Sequence, residues 1–198
     1  LNKMKFSIKQ QDIQKSLNYC QGVIEKRSTL PILSNVLLEV SNSGLTVTAT
    51  DLDLIFVHKI KNVETTEEGQ TTTSSSIMYD IVRKISSDKK INFSNLGDNK
   101  LNLESESSTF NLNCINPSEF PLMNENFNDN EFVINSKSLL KILNKCKFSI
   151  SNDETRHYLS GIFIHTTNQS DKKYLTAVAT DSHRMSISKF KINENVNF

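Results

Sequence analysis

The chain has 198 residues, 36% of them hydrophobic and 23% charged, with a formal net charge of +1. That is enough apolar material for one large or two modest cored domains, and too even a balance for a global field aimed at nucleic acid or membrane. No apolar run approaches the roughly 20 residues needed to span a bilayer, and no apolar stretch near the N-terminus marks a secretory signal.

Leu1-Asn2-Lys3 stand before Met4, one candidate for the natural start. Residues 5–8 alternate like a short strand, and Ile13, Leu17, Cys20 and Ile24 then fall on one helical stripe behind Gln11-Asp12. Residues 27–31 read as a loop. Residues 36–40 and 45–49 are β-rich and joined through Ser41-Asn42-Ser43-Gly44, a hairpin signal. Residues 54–63 read as another strand and 64–69 as a polar, acidic loop. After a β-prone stretch at 71–74, Ile77, Ile81, Val82 and Ile85 predict a second amphipathic helix. Short strands follow at 91–94, 101–104 and 110–115. Each half thus reads strand–helix–strand–strand–strand. Residues 116–130, rich in Asn, Pro and acid, read as an interdomain linker. A second unit opens at 132–134, continues through a stripe of Leu139, Leu140, Leu143 and Cys146, and adds strands at 161–166, 174–179 and 185–192.

The order of elements repeats because the sequence does. Leu45-Thr46-Val47-Thr48-Ala49-Thr50-Asp51 returns about 130 residues later as Leu175-Thr176-Ala177-Val178-Ala179-Thr180-Asp181, and Ser34–Leu38 has a weaker partner in Ser160–Ile164. Such a repeat means one folding unit used more than once. Domain-size arithmetic carries a second unit that starts near 130 to roughly 250, so the second copy is expected to stop halfway at Phe198. Asp51 and Asp181 read as turn caps rather than metal ligands, since Asp53 has no acidic counterpart after Asp181. The copies part just beyond: Leu52-Asp53 in one, Ser182-His183-Arg184 in the other. That divergence marks either a docking surface or surface drift.

Charge is segregated within the near-neutral whole. Lys137, Lys141 and Lys145 stand at i, i+4, i+8 with no acid between 136 and 152, which places three ammonium groups on one helix face. The other helices carry Lys9, Lys15, Lys26 and Arg27, then Arg83, Lys84, Lys89 and Lys90, while acids gather at 64–68, 104–106 and 119–131. A solvated face explains such a run; sequence-independent contact with phosphates explains it too. No base-reading module is present. Cys20, Cys114 and Cys146 are far apart, without a C-x-x-C or paired histidines, which predicts reduced thiols, no metal and a cytoplasmic setting. The five glycines form no phosphate cradle, so no cofactor is expected. A hydrolase built on Ser182, His183 and Asp181 meets a geometric objection: neighbours on a strand point to alternate faces, whereas triads converge from separate loops. No catalytic residue is expected.

Taken in order, Met4-Lys5-Phe6, Arg27-Ser28-Thr29-Leu30-Pro31-Ile32-Leu33-Ser34-Asn35, Ala49-Thr50-Asp51-Leu52, Asn116-Pro117-Ser118-Glu119-Phe120-Pro121, Arg156-His157-Tyr158-Leu159-Ser160-Gly161 and Ala179-Thr180-Asp181-Ser182-His183-Arg184-Met185 span the chain. In these segments it resembles the bacterial DNA polymerase III beta subunit family, the replicative sliding clamps. The resemblance implies an α+β DNA-clamp fold of repeated domains, each with two helices packed on antiparallel sheets. It implies a first domain at 4–125, the first half of a second at 130–198, and a third domain absent from this chain. Two full-length protomers would close head to tail around duplex DNA as a non-catalytic processivity factor.

Arg27, His157 and Tyr158, taken from the resemblance, join Arg83, Lys137, Lys141 and Lys145, taken from the charge pattern, as candidate DNA contacts. The family's pocket for a short partner motif matches Leu159, Thr180, His183, Arg184 and Met185, with Ser182 where a glycine is usual and Met185 keeping an apolar wall. Ile81, Ile85, Phe110 and Leu112 match the dimer edge. Lys100 keeps a basic position there, and Ser107 and Thr109 stand where arginines are common. Implied partners are double-stranded DNA without sequence preference, the DNA polymerase III alpha subunit, the clamp loader, and other polymerases and repair proteins, with no membrane. The alternative is a monomeric DNA-binding or adaptor module of the same fold.

Overall fold

A computed structural model describes residues 3–24, 29–95, 99–106, 108–122 and 133–192. Its internal contacts divide the chain into two units, residues 1–124 and 125–198.

The first unit opens with β1 (Met4–Lys9), whose alternation buries Met4, Phe6 and Ile8, the period-2 signature of a strand with one covered face. α1 (Gln10–Cys20) has no side-chain cap and is held by its packing. Ile13, Leu17 and Cys20 are fully buried, and the Gln10 amide donates to the carbonyl of Val82 at 2.8 Å. β2 (Asn35–Ser41), β3 (Gly44–Thr50) and β4 (Ile55–Ile60) form a meander. Its first turn needs Gly44: φ is +126°, and a Cβ there would sit 2.2 Å from the carbonyl oxygen of Ile60. β5 (Val63–Glu67) and β6 (Gly69–Ser74) lead into α2 (Ser75–Val82), and β7 (Lys90–Asn95), β8 (Lys100–Ser105) and β9 (Ser108–Ile115) complete the unit.

Strand order is β4-β3-β2-β6-β9-β8-β7-β1-β5. β9 pairs with β8 along its length but gives β6 only Cys114 and Ile115. The stretch from 63 to 74 is shared in the same way, with β5 against β1 and β6 against β2. α1 and α2 lie side by side over this sheet. Between them Phe6 and Phe93 stack at 4.8 Å, with Leu17, Leu38, Val47, Met78 and Leu103 buried around them. Each such side chain contributes about 1.5–3 kcal/mol.

Four expectations need correction here. The acidic loop at 64–69 is mostly β5, and the single strand at 54–63 divides into β4 and β5. β5 lies at one end of the order and buries little, so its sequence carries no hydrophobic alternation. α2 ends at Val82, leaving Ile85 in the following turn, where it still packs on the core. The stretch read as linker begins inside the unit, because Phe120 is buried against Ile32, Leu33 and Leu37; residues 123–132 lie outside those described.

In the second unit α3 (Ser136–Cys146) is capped by Asn135, whose side-chain oxygen accepts from the N–H groups of Lys137 and Ser138 at 3.0 and 3.2 Å. β10 (Phe163–Gln169), β11 (Lys172–Thr180) and β12 (Met185–Lys191) form one antiparallel sheet in that order. Ile142 and Cys146 of α3 pack with Leu175, Ala177, Ala179 and Ile192. The helical stripe is therefore rotated from the expected one: Leu140 is 58% exposed. Leu139-Leu140 and Ile142-Leu143 put apolar side chains on adjoining faces, and only packing chooses between them. No strand forms at 133–134, and Val133 is exposed.

Candidate partner-docking and nucleic-acid surfaces

The repeated Ala-Thr-Asp builds the same turn twice. After β3, the Asp51 Oδ1 accepts from the N–H groups of Asp53 and Leu54 at 3.0 and 2.6 Å, and the Thr50 hydroxyl donates to the carbonyl of Leu54 at 2.7 Å. After β11, the Asp181 Oδ1 accepts from His183 and Arg184 at 3.0 and 2.9 Å, and the Thr180 hydroxyl donates to the carbonyl of Arg184 at 2.7 Å. Leu52 and Ser182 occupy the left-handed region, with φ of 81° and 77°. The shared residues make the turn, and the differing ones decorate it.

In the second copy the decoration is cationic and fixed. The Arg184 guanidinium meets Asp181 Oδ2 at 2.9 Å and lies 5.7 Å from the centroid of the Phe148 ring. Arg156 donates from Nε to Asp153 at 2.8 Å and from a terminal nitrogen to the Ser182 hydroxyl at 2.9 Å. The acid and the hydroxyl of the supposed triad are thus spent on the turn. Hydrogen bonds from the N–H groups of His183 and Arg184, then the Arg184 side chain, hold the Asp181 carboxyl below its ordinary value of 3.8. A depressed carboxylate contributes stability that is present above its unfolded value and lost as pH falls through its folded one. Carbon NMR is therefore expected to place the Asp181 midpoint below 3.8, with the turn's amide signals shifting over that same acid window.

The residues expected to dock a partner come together around this turn. Leu159 and Thr180 line a groove of about 360 Å³, Met185 pairs with Thr180 in the sheet register, and His183 and Arg184 project from the turn between them. Met185 is 63% exposed, an apolar side chain left in water. His157 and Tyr158, expected at DNA, line the same groove. Sequence reasoning misses Phe148 and places Arg156 only within the resembling segment 156–161, without its contacts: their partners Arg184 and Ser182 are distant in the chain, and no spacing rule joins them.

Lys137, Lys141 and Lys145 are all exposed on the side of α3 away from its buried residues. In the first unit Arg83 is exposed, paired with Asp80 at 3.0 Å, and Arg27 lies outside the described residues. Ile81, Ile85 and Phe110 line a groove of about 440 Å³ beside Ile77, which is 54% exposed. Leu112 is buried in the core beneath, and Lys100 stands outside that groove's lining. Ser107 falls outside the described residues, while Thr109 is exposed on β9.

The family model for the DNA polymerase III beta subunit, N-terminal domain, matches residues 4–124, and that for its central domain matches 133–197. The chain belongs to the DNA polymerase III beta subunit family. It is 34% identical over 192 residues to the beta sliding clamp of Caulobacter vibrioides, covering 96% of this chain and 51% of that protein. It is 29% identical over 193 residues to that of Escherichia coli K12, covering 98% and 51%. Among solved structures it is similar to the Caulobacter crescentus beta sliding clamp, with a TM-score of 0.94 and 33% identity over 98% of this chain and 52% of that one. It is also similar to a Bartonella birtlesii sliding clamp bound to griselimycin, with a TM-score of 0.91 and 32% identity over 97% and 51%. The fold is that of the sliding clamps, α+β with antiparallel sheets. The chain spans about half the length of the curated relatives it matches. Among the described residues no helix is long and apolar enough to cross a membrane.

Proposed function

We propose that this chain is the N-terminal portion of a DNA sliding clamp. The observation that carries the reading is the family match over both units, supported by the likeness to a solved sliding clamp at a TM-score of 0.94. In this reading residues 4–125 form the first domain and 130–198 the first half of the second, with a third domain beyond. Two full-length protomers close head to tail around duplex DNA in the cytoplasm. The ring is non-catalytic and keeps the replicative polymerase on its template by enclosure. The α3 face of Lys137, Lys141 and Lys145, with Arg83, Arg27, His157 and Tyr158, supplies loose contact with phosphates, which weakens steeply with salt and ignores sequence.

The turn bearing His183 and Arg184, with Leu159, Thr180 and Met185, receives a short motif from the DNA polymerase III alpha subunit, the clamp loader, other polymerases and repair proteins. Ile81, Ile85 and Phe110, supported by Leu112 and flanked by Lys100, meet the partner protomer. The griselimycin-bound relative supports a peptide-docking reading by likeness.

The test uses full-length protein placed on a nicked circular plasmid by a clamp loader. It is expected to stay through gel filtration in salt and to leave once the circle is cut. Retention after linearisation, or a monomer in solution, would favour the adaptor-module reading.

A further inference from the structure

The second unit has a sheet face turned away from α3, made of alternate residues of its three strands. Its character changes along its length. At the docking end it is apolar, with Phe163, Ile187 and Met185 at 67%, 60% and 63% exposed. At the far end it is cationic: Lys172, Lys189 and Lys191 are exposed, and the register sets Lys191 against Tyr174. The Lys189 ammonium lies 5.0 Å from the Tyr174 ring centroid and donates to the Gln169 side chain. No strand position on this face is acidic, and none of the three lysines is ion-paired among the described residues. Met185 and Lys191 bracket β12, about 20 Å at the usual rise of a strand, a distance that a short extended peptide covers.

We infer that a partner peptide seated at the Met185 end runs on across this face, and that partners are distinguished by acidic residues flanking the docking segment, whose carboxylates meet Lys172, Lys189 and Lys191. This rests on the docking reading above. The occupant follows from charge: a lysine cluster without ion pairs among the described residues, with Asp171 of the adjacent turn as its one acidic neighbour among them, continues an apolar site and favours an apolar segment with an acidic flank. Rim charges of this kind tune selectivity and association more than total affinity.

The test uses full-length protein and two fluorescent peptides with one apolar docking core, flanked on both sides by glutamates in one and by glutamines in the other. The glutamate peptide is expected to bind about three- to tenfold more tightly at low salt, with the gap closing as salt rises. The combined Lys172→Gln, Lys189→Gln and Lys191→Gln variant should abolish the gap and leave the glutamine peptide's affinity unchanged, and the triple arginine variant should restore it. Equal binding of the two peptides, or a gap that survives the glutamine variant, overturns the proposal. So does an oligothymidylate whose binding is lost in that variant while the peptides are unaffected, which would assign the face to nucleic acid. If neither peptide binds, the docking reading itself falls, a result distinct from equal binding.

Discussion

On the ring reading proposed above, full-length protein carrying Ile81→Asp and Phe110→Asp is expected to sediment as a monomer at concentrations where that reading makes the unmodified protein a dimer, and to be lost from circular DNA. Both side chains line an apolar groove with Ile77 and Ile85, and Ile77 is 54% exposed. Apolar side chains of this kind, rimmed by polar residues, fit the proposed protomer interface. Removing one buried anchor from an interface costs about 2 kcal/mol or more, roughly 30-fold in affinity. A carboxylate in the same place adds the cost of desolvating a charge, so the pair should weaken association by about a thousandfold or more. Ile81 and Phe110 are only partly buried in the isolated unit, so its melting temperature should change far less than the dimer does. A dimer of unchanged strength would remove this groove from the protomer interface.

Arg184→Ala and His183→Ala are each expected to weaken binding of an apolar docking peptide by about tenfold or more, measured by fluorescence anisotropy on full-length protein. Asp181→Ala should come close to the same loss, because it releases both backbone N–H groups of the turn and the Arg184 side chain together. The internal control is Asp51→Ala. It removes the corresponding side-chain acceptor from two backbone N–H groups in the first unit, so it should lower the melting temperature and leave peptide affinity untouched. A comparable affinity loss in Asp51→Ala would show that the two turns do not divide fold from function.

Both aspartate turns were legible in the sequence, because the repeat exposed the Asp cap and set the differing residues beside it. The lysine face of α3 was legible for a similar reason: a spacing of four residues fixes the face before any tertiary contact exists. What stayed hidden depends on neighbours distant in the chain. β5 reads as an acidic loop because Val63 is its one apolar residue, and its strand geometry comes from pairing with β1. Phe120 reads as part of a linker because nothing nearby says that Ile32, Leu33 and Leu37 wait to cover it. Arg156 is read only as part of the resembling segment 156–161, since its hydroxyl partner at Ser182 is brought to it only by the fold. Patterning reports what a residue does to its own segment, and these residues act across segments.

β1 lies between β5 and β7, paired with both, so the first strand of this unit is flanked by chain made much later. Both of its ladders close long loops, from Ile8–Val63 to Met4–Asn95, and loop closure must precede the reward of strand pairing. Phe6 finds its stacking partner only when Phe93 has been made. During synthesis, then, Met4, Phe6 and Ile8 are an apolar strand without neighbours, and the unit has no stable N-terminal fragment to rest in. Folding of this unit is expected to be late, slow and all at once, with β1 exposed until β5 and β7 are in place.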